Sequence, residues 1–158
     1  MTHFECQVRD TLLPSQVDDL MRLYAEQWWT RNRTRADVER MLDASDLLFV
    51  VTEPQTQTLV GFARVLTDHA YVAVLLDTIV AAEYRGRGLG RLLVESVCSA
   101  PELRDVERIE LTCQPELIAF YAKWDFSDNV GRSRLMRRSA NPVFSDAAAQ
   151  QGVRADAQ

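Results

Sequence analysis

A chain of 158 residues is long enough to bury a hydrophobic core without disulfide bonds or metal ions. Hydrophobic residues make up 47% of it and charged residues 26%, which is ordinary for a globular domain and excludes a wholly disordered protein. The net charge of -5 argues against a general affinity for nucleic acid.

The cysteines and the N-terminus indicate the compartment. Cys6, Cys98 and Cys113 are odd in number and widely spaced, which fits neither a disulfide framework nor a Cys-x-x-Cys metal site, so we expect no metal. Residues 1–5 lack a basic segment followed by an apolar run, and no stretch reaches the length of a membrane span. We therefore expect a cytoplasmic protein with no nucleic-acid or membrane partner.

The N-terminal part predicts one short strand and two helices. Residues 4–8 indicate the strand. Apolar residues then recur at helical spacing over residues 15–24, and Ser15 is the expected N-cap of this first helix. A second helix follows, because Thr34 has the form of an N-cap and the acidic Asp37 stands three positions later.

The middle of the chain predicts strands, a glycine loop and a helix. Two apolar runs, 47–51 and 59–65, flank a polar connection and indicate a hairpin. A third run, 71–82, is nearly continuous, as in a strand that is buried on both faces. It leads directly into a cluster of glycines, after which helical spacing returns over residues 89–97.

The C-terminal part predicts further elements and then a tail. Residues 108–113 alternate enough to form a strand, residues 116–124 indicate a helix, and residues 133–138 indicate a last strand. The remainder, 140–158, is rich in Ala and Gln and poor in apolar bulk, so we expect a disordered tail. The folded domain is expected over residues 1–139.

The glycine cluster carries the strongest chemical signal. Its sequence is Arg85-Gly86-Arg87-Gly88-Leu89-Gly90-Arg91. Alternate glycines let the backbone turn tightly, so that successive amide N–H groups can converge on an anion. The helix that follows adds unpaired N–H groups and the positive end of its dipole. The segment therefore predicts a phosphate or pyrophosphate site, to which the arginines can add direct charge.

Three kinds of phosphate-binding loop compete for this segment. A nucleoside triphosphate loop needs Gly-Lys followed by Ser or Thr, and a dinucleotide loop needs a glycine where Arg91 stands. The third kind is the Arg-x-x-Gly-x-Gly signature, which Arg85, Gly88 and Gly90 satisfy. This signature resembles the acetyl-CoA loop of the GNAT superfamily of N-acetyltransferases.

The resemblance covers residues 47–126 with their elements in the family's order, including a helix with a tyrosine, Tyr121. Two positions depart from it: Asp125 stands where the family usually has glycine, and Gln114 stands where many members have a cofactor-contacting asparagine. The resemblance implies an α/β fold of the α+β type: a mixed, mostly antiparallel twisted sheet flanked by helices, with a splayed central strand. It also implies a homodimer formed through the C-terminal strands.

The resemblance implies transfer of an acetyl group from acetyl-CoA to an amine by direct attack in a ternary complex. Backbone groups of Ile79 and Val80 would pair with the pantetheine arm, and Tyr121 would protonate the departing thiolate. The remaining cofactor contacts would come from the loop and from the asparagine-like position: Arg85, Gly86, Arg87, Gly88, Leu89, Gly90, Arg91 and Gln114. Small-molecule amines, amino acids, aminoglycoside-like compounds and protein amino groups all stay open as acceptors.

The general base is less well defined. Asp77 is the candidate, because it stands in the apolar central run and burial could raise its pKa. A structural ion pair with an arginine is the alternative for Asp77, and Glu26 in the first helix or a water molecule could act as the base instead. Cys113 lacks a histidine in its sequence context, so we expect a small core residue rather than a nucleophile.

Trp28 and Trp29 are candidates for acceptor binding, because indoles hold apolar or cationic groups. We expect only one of them to line the site and the other to pack into the core. Nearby Arg31, Arg33 and Arg35 could meet an acidic acceptor, although alternating arginines more often form a solvated face.

Two alternatives to this function stay open from the sequence. One is a non-catalytic acyl-CoA sensor or interaction module that keeps the loop but has lost the chemistry. The other is a transferase that uses a different acyl-CoA, because the volume around the thioester cannot be read from the residues.

Overall fold

The chain forms one five-stranded sheet in the computed structural model, which describes residues 3–144. Its strands are β1 Cys6–Arg9, β2 Leu47–Thr52, β3 Leu59–Thr67, β4 Val72–Val80 and β5 Arg108–Glu110. They lie side by side in chain order. Neighbours from β1 to β4 are antiparallel and β5 is parallel to β4, which confirms a mixed, mostly antiparallel sheet.

Helices cover the sheet. They are α1 Pro14–Ala25, α2 Arg35–Asp43, α3 Leu89–Cys98 and α4 Ile118–Tyr121, of which α4 is a short turn flanked by 3-10 turns at Pro115–Leu117 and Ala122–Trp124. Further 3-10 turns lie at Ala82–Tyr84, Pro101–Leu103 and Pro142–Phe144. β2 is buried at five consecutive positions, so both faces of the sheet are covered at its centre.

The two N-terminal helices begin differently from one another. The prediction of Ser15 as an N-cap is wrong: Leu13 caps α1, because the fixed φ of Pro14 suits the first helical position. The Gln16 side chain accepts a hydrogen bond from the Leu13 N–H at 3.1 Å. The prediction for α2 is confirmed, since the Thr34 hydroxyl accepts from the Asp37 N–H at 3.2 Å.

Several predicted boundaries change in the structure. β4 stops at Val80 and begins after the exposed Tyr71, so it is shorter than the apolar run 71–82. The prediction of a last strand at 133–138 is wrong: these residues pair with no strand among residues 3–144, and Leu135 is 70% exposed. Alternation alone does not make a strand when no partner strand and no apolar surface lie beside it.

The predicted tail falls partly outside the described residues. Positions 145–158 lie beyond them. Positions 142–144 form the last 3-10 turn, and the ring of Phe144 lies 6.4 Å from that of Trp28 between centroids. Residues 142–144 therefore lie beside the loop between α1 and α2.

Removal of the α2 cap should destabilise the fold. Thr34→Ala leaves one helical N–H without its acceptor, so we expect a loss of about 1 kcal/mol in the free energy of unfolding. Thr34→Ser keeps the hydroxyl and is the matched control. Urea titration followed by circular dichroism measures both, and equal stability of the Ala and Ser variants would contradict the capping role.

Candidate active site

β4 is interrupted by a bulge at Asp77. Asp77 and Thr78 together lie opposite a single β3 residue, Ala63, so the register shifts by one. Asp77 has a φ of 56°, in the left-handed region that a non-glycine residue adopts only at some cost. The bulge therefore bends β4 just after the part that pairs with β5.

The two parallel strands separate after three paired residues, just before the bulge. β4 and β5 pair only between residues 72–74 and 108–110. Further along, residues 75–78 and 111–114 face each other across a cavity of about 460 Å³. This opening confirms the splayed central strand that the resemblance implied.

Five of the predicted site residues meet in this cavity. Its walls include Tyr121, Asp77, Gln114, Trp28 and Trp29, which come from four separate parts of the chain. The expectation that one tryptophan packs into the core is wrong. Trp28 is 47% exposed and Trp29 is partly buried. Both line the cavity, because the loop between α1 and α2 forms part of its wall.

Tyr121 is buried, with 8% of its surface exposed. Burial raises the pKa of its hydroxyl, a hydrogen bond shared with Thr78 acts the opposite way, and Cys113 adds a smaller upward effect. The phenol therefore stays protonated at neutral pH and can donate a proton. Edge-on ring contacts with Phe120 and Phe126 fix its position.

The Asp77 carboxylate accepts four hydrogen bonds from three neighbouring side chains. Its Oδ2 accepts from the Tyr24 hydroxyl at 2.9 Å, from Arg64 Nε at 2.7 Å and from Arg33 Nη1 at 2.7 Å. Its Oδ1 accepts from Arg33 Nη2 at 3.0 Å. The side chain is 4% exposed. These contacts form the structural ion pair that the sequence left open as an alternative.

The expectation of a raised pKa at Asp77 is therefore wrong. Burial acts to raise this pKa, but the hydrogen bonds and charges of Arg33 and Arg64 outweigh it and leave the pKa below its usual range. Tyr24 responds in the opposite sense: its burial and the charge of Asp77 raise the pKa of its hydroxyl. The carboxylate is charged and the phenol is neutral at every physiological pH.

Glu26, the competing base, lies elsewhere. It lines a second cavity, of about 500 Å³, between α1, the β2–β3 connection and residues 81–84. Among the described residues, Asp77 is thus the one carboxylate that lines the cavity of Tyr121. Cys113 also lines that cavity, where it is partly buried and packs against the core. Burial raises the pKa of its thiol, and neither histidine lies beside it in the cavity wall.

The glycine loop lies directly after β4 and its first 3-10 turn. Gly86 and Gly88 have φ values of 73° and 83°, which favour glycine, and Gly88 is the residue before α3. The amide N–H groups of residues 86–88 donate to no other described residue. Together with the free N–H groups of the first turn of α3, they form a cluster of unpaired donors. Residues 86–88 are exposed.

The arginines of the loop already have local partners. Arg85 Nε donates to the Val80 carbonyl at 3.3 Å, the Arg87 guanidinium lies 5.0 Å from the centre of the Tyr84 ring, and Arg91 Nε donates to Glu95 at 2.7 Å. All three side chains are exposed beside the loop, so their positive charges would attract an anion bound at the amides.

Asp125 keeps the backbone geometry that a glycine would have. It ends the 3-10 turn after α4 with a φ of 63°, in the left-handed region. Aspartate is one of the few residues that adopt this conformation readily, because its short side chain can hydrogen-bond locally. The departure from the family's glycine is therefore compatible with the same turn beside Tyr121.

Sequence reasoning missed the partners of Asp77. Tyr24 and Arg64 were not singled out, and Arg33 was expected on a solvated face, whereas its side chain is 27% exposed and binds Asp77. Arg35 does lie on the surface, beside Glu39. A charged Arg64 inside the apolar run 59–65 was the one available signal, because such a residue needs a buried partner.

Metal and membrane features are absent from the described part of the chain. Over residues 3–144, no three His, Cys, Asp or Glu side chains are grouped as metal ligands. None of the helices in the same range is long and apolar enough to cross a membrane.

Comparison with known proteins identifies the family. Residues 15–126 match the sequence profile of the acetyltransferase (GNAT) family. The chain belongs to this family. A GNAT-family crystal structure from Xanthomonas campestris pv. campestris has 29% sequence identity and a TM-score of 0.77, covering 92% of this chain and 99% of that one. The fold and the elements around the cavity are thus those of a GNAT domain.

The curated GNAT relatives are longer proteins, and this chain matches only part of each. GCN5-related N-acetyltransferase 2, chloroplastic, of Arabidopsis thaliana is 39% identical over 72 residues, which are 46% of this chain and 28% of that protein. An uncharacterized N-acetyltransferase of Prochlorococcus marinus is 33% identical over 118 residues, 70% of this chain and 65% of that protein. The matched region thus spans less than two thirds of these relatives.

The fold recurs at lower identity. An aminoglycoside N-acetyltransferase in complex with CoA has a TM-score of 0.64 and 17% identity, covering 88% of this chain and 96% of that one. At this identity the likeness concerns the GNAT fold alone.

Replacement of Asp77 should destabilise the protein in a pH-dependent way. Asp77→Asn leaves two guanidinium groups without their countercharge, so we expect a loss of roughly 2–4 kcal/mol, below the full effect of a buried pair because Arg33 is partly exposed. The folded pKa is below the unfolded one, so this contribution is complete above about pH 5 and declines as the pH falls below about 4.

Urea titrations of the wild type and Asp77→Asn across this pH range measure the difference. Asp105→Asn, at an exposed carboxylate outside the cavity, is the control and should change the free energy of unfolding little. A difference between wild type and Asp77→Asn that stayed constant down to pH values near 2 would contradict the lowered pKa.

Proposed function

We propose that this GNAT domain transfers an acetyl group from acetyl-CoA to an amine by direct attack in a ternary complex. The observation that carries the proposal is the position of Tyr121. A buried phenol that stays protonated lies in the cavity between the separated strands, and the cluster of unpaired amides lies at the end of one of them.

The residues present fit acetyl-CoA. The unpaired N–H groups of residues 86–88 and the start of α3 supply donors for a pyrophosphate. Beyond residue 74, the edge of β4 that faces away from β3 pairs with no described strand, so this edge at Ile79 and Val80 would contact a pantetheine arm, beside the hydrogen bond that the Val80 carbonyl accepts from Arg85 Nε. Gly90 lies in the first turn of α3, where a Cβ would be 3.6 Å from the Phe120 ring, an ordinary van der Waals contact.

When bound, acetyl-CoA supplies an activated thioester. Tyr121 would donate a hydrogen bond to the sulfur and give up its proton there as the carbon–sulfur bond breaks and the carbon–nitrogen bond forms. The phenolate is then reprotonated from solvent. The ring contacts with Phe120 and Phe126 hold the hydroxyl in place through this transfer.

Asp77 is proposed to position residues rather than to take a proton. A base needs a free lone pair and a pKa near the working pH, whereas Asp77 accepts four hydrogen bonds and has a lowered pKa. Glu26 lines the other cavity. We therefore propose that water carries the proton away from the acceptor nitrogen. Cytoplasmic location and homodimer formation stay predictions.

The loop should be required for cofactor binding. Gly88→Leu places a side chain at a positive φ beside the unpaired amides, so we expect the affinity for acetyl-CoA to fall by at least about ten-fold. Gly131→Leu is a matched control, because Gly131 has a φ of 69° and equally open surroundings, but it lies outside the loop. Calorimetric titration measures both, and normal affinity in Gly88→Leu would contradict the loop assignment.

Tyr121 should be required for turnover but not for binding. Tyr121→Phe removes the proton donor and keeps the ring contacts, so we expect thiol release from acetyl-CoA to slow by about 10²- to 10⁴-fold with unchanged cofactor affinity. Tyr71→Phe, at a tyrosine that is 66% exposed and remote from the cavity, is the control. Unchanged turnover in Tyr121→Phe would rule out its role as the acid.

A further inference from the structure

The cavity of Tyr121 is positively charged within an acidic protein. Four arginines line it, Arg33, Arg64, Arg137 and Arg138, against the single carboxylate of Asp77. This leaves the described lining with a formal charge of +3, whereas the whole chain has a net charge of -5. A local reversal of sign in a concave site attracts a ligand of the opposite charge.

Asp77 does not offer a site for a cationic group. Its Oδ2 already accepts three hydrogen bonds and its Oδ1 accepts one, all from Tyr24, Arg33 and Arg64. A carboxylate has about four acceptor positions, so this one is close to saturation. The described lining of the cavity therefore lacks a free anionic group that could bind an ammonium.

The arginines, by contrast, keep unused donors. Arg64 donates to Asp77 through Nε, and its two terminal nitrogens donate to none of the described residues. These nitrogens are accessible from the cavity, because Arg64 lines it and its side chain is 11% exposed. Arg138 has no partner among the described residues, and Arg137 rests over the Phe144 ring at 5.4 Å. Planar guanidinium groups of this kind match carboxylate and phosphate oxygens.

We propose that the acceptor is an anionic amine, whose carboxylate or phosphate group binds Arg64 together with Arg137 and Arg138. This inference rests on the proposed acetyltransferase function and specifies its substrate class. The phosphates of CoA are assigned to the glycine loop, so these arginines are free for the acceptor. Trp28 and Trp29 would contact the remaining part of the molecule.

The same charge would assist the chemistry. A positively charged cavity disfavours the protonated amine, so it lowers the pKa of the bound amino group and favours the neutral nucleophile. This effect reduces the need for a dedicated base. It agrees with the contacts of Asp77, which accepts hydrogen bonds from Tyr24, Arg33 and Arg64 and is not free to take a proton. The anionic group holds the acceptor in place, and the surrounding arginines make its nitrogen reactive.

The test compares amines that differ in the presence of one anionic group. Standard L-amino acids are paired with their amides, and phosphoethanolamine is paired with ethanolamine. Calorimetric titration into the full chain is done with CoA present, so that no turnover occurs. We expect the anionic member of at least one kind of pair to bind at least about ten-fold more tightly, as a charge-assisted contact predicts. The two kinds of pair distinguish a carboxylate from a phosphate.

Three variants locate the contact. Arg138→Gln and Arg64→Lys should weaken binding of the preferred anionic amine by about ten-fold, and Arg138→Gln, which lies outside the Asp77 ion pair, should leave the affinity for acetyl-CoA unchanged. Arg138 is exposed, so its replacement should not impair folding even if Arg64→Lys disturbs Asp77. Arg132→Gln removes an exposed charge from the same segment outside the cavity lining and is the control.

The outcomes separate this inference from the proposed function. Equal binding of both members of every pair, or no binding of the anionic members, overturns the inference even if thiol release with other amines shows an acetyltransferase. A parallel loss of acetyl-CoA affinity in Arg138→Gln also overturns it, because the arginine would then serve the cofactor. Selective binding of an anionic amine without thiol release would support the charge assignment and contradict the proposed transfer.

Discussion

The ion pair of Asp77 with Arg33 and Arg64 is the interaction on which the site depends. It joins three elements: the bulge of β4, the neighbouring strand β3 and the loop before α2. Asp77 stands in a left-handed conformation, and these contacts help to hold it there. The hydrogen bond from Tyr24 adds α1 to the same cluster. One carboxylate thus fixes both the bend of the sheet and the loop above the cavity.

That bend has a structural consequence for binding. Because β4 turns away from β5 after three paired residues, none of the described strands pairs with its edge beyond residue 74, and a cavity opens beside Tyr121. The same strand then ends at the glycine loop and α3. An extended ligand with an anionic end could therefore lie along β4, with its phosphate groups at the amides and its other end in the cavity. This arrangement agrees with membership of the GNAT family.

Charge within the cavity is arranged by the same ion pair. Arg33 and Arg64 are held so that one carboxylate is shared between two guanidinium groups, which leaves excess positive charge and unused donors at the wall. Burial of such charges is costly unless they are paired, which explains why Asp77 is kept ionised rather than poised for proton transfer. Asp77 had been the candidate base on sequence grounds, and its surroundings favour a positioning role.

The sequence by itself determined the features that depend on local chemistry. Alternate glycines before an amphipathic helix predicted a tight loop whose amides can converge on an anion, Thr34 predicted the start of α2, and the apolar runs predicted the strands. It could not decide what depends on partners distant in the chain: the pairing of Asp77 with Arg33 and Arg64, the placement of both tryptophans at the cavity, and the lack of a strand at 133–138. The pKa of a carboxylate, and whether an extended segment forms a strand, depend on which groups the tertiary fold brings within hydrogen-bonding distance. Periodicity along the chain does not contain that information.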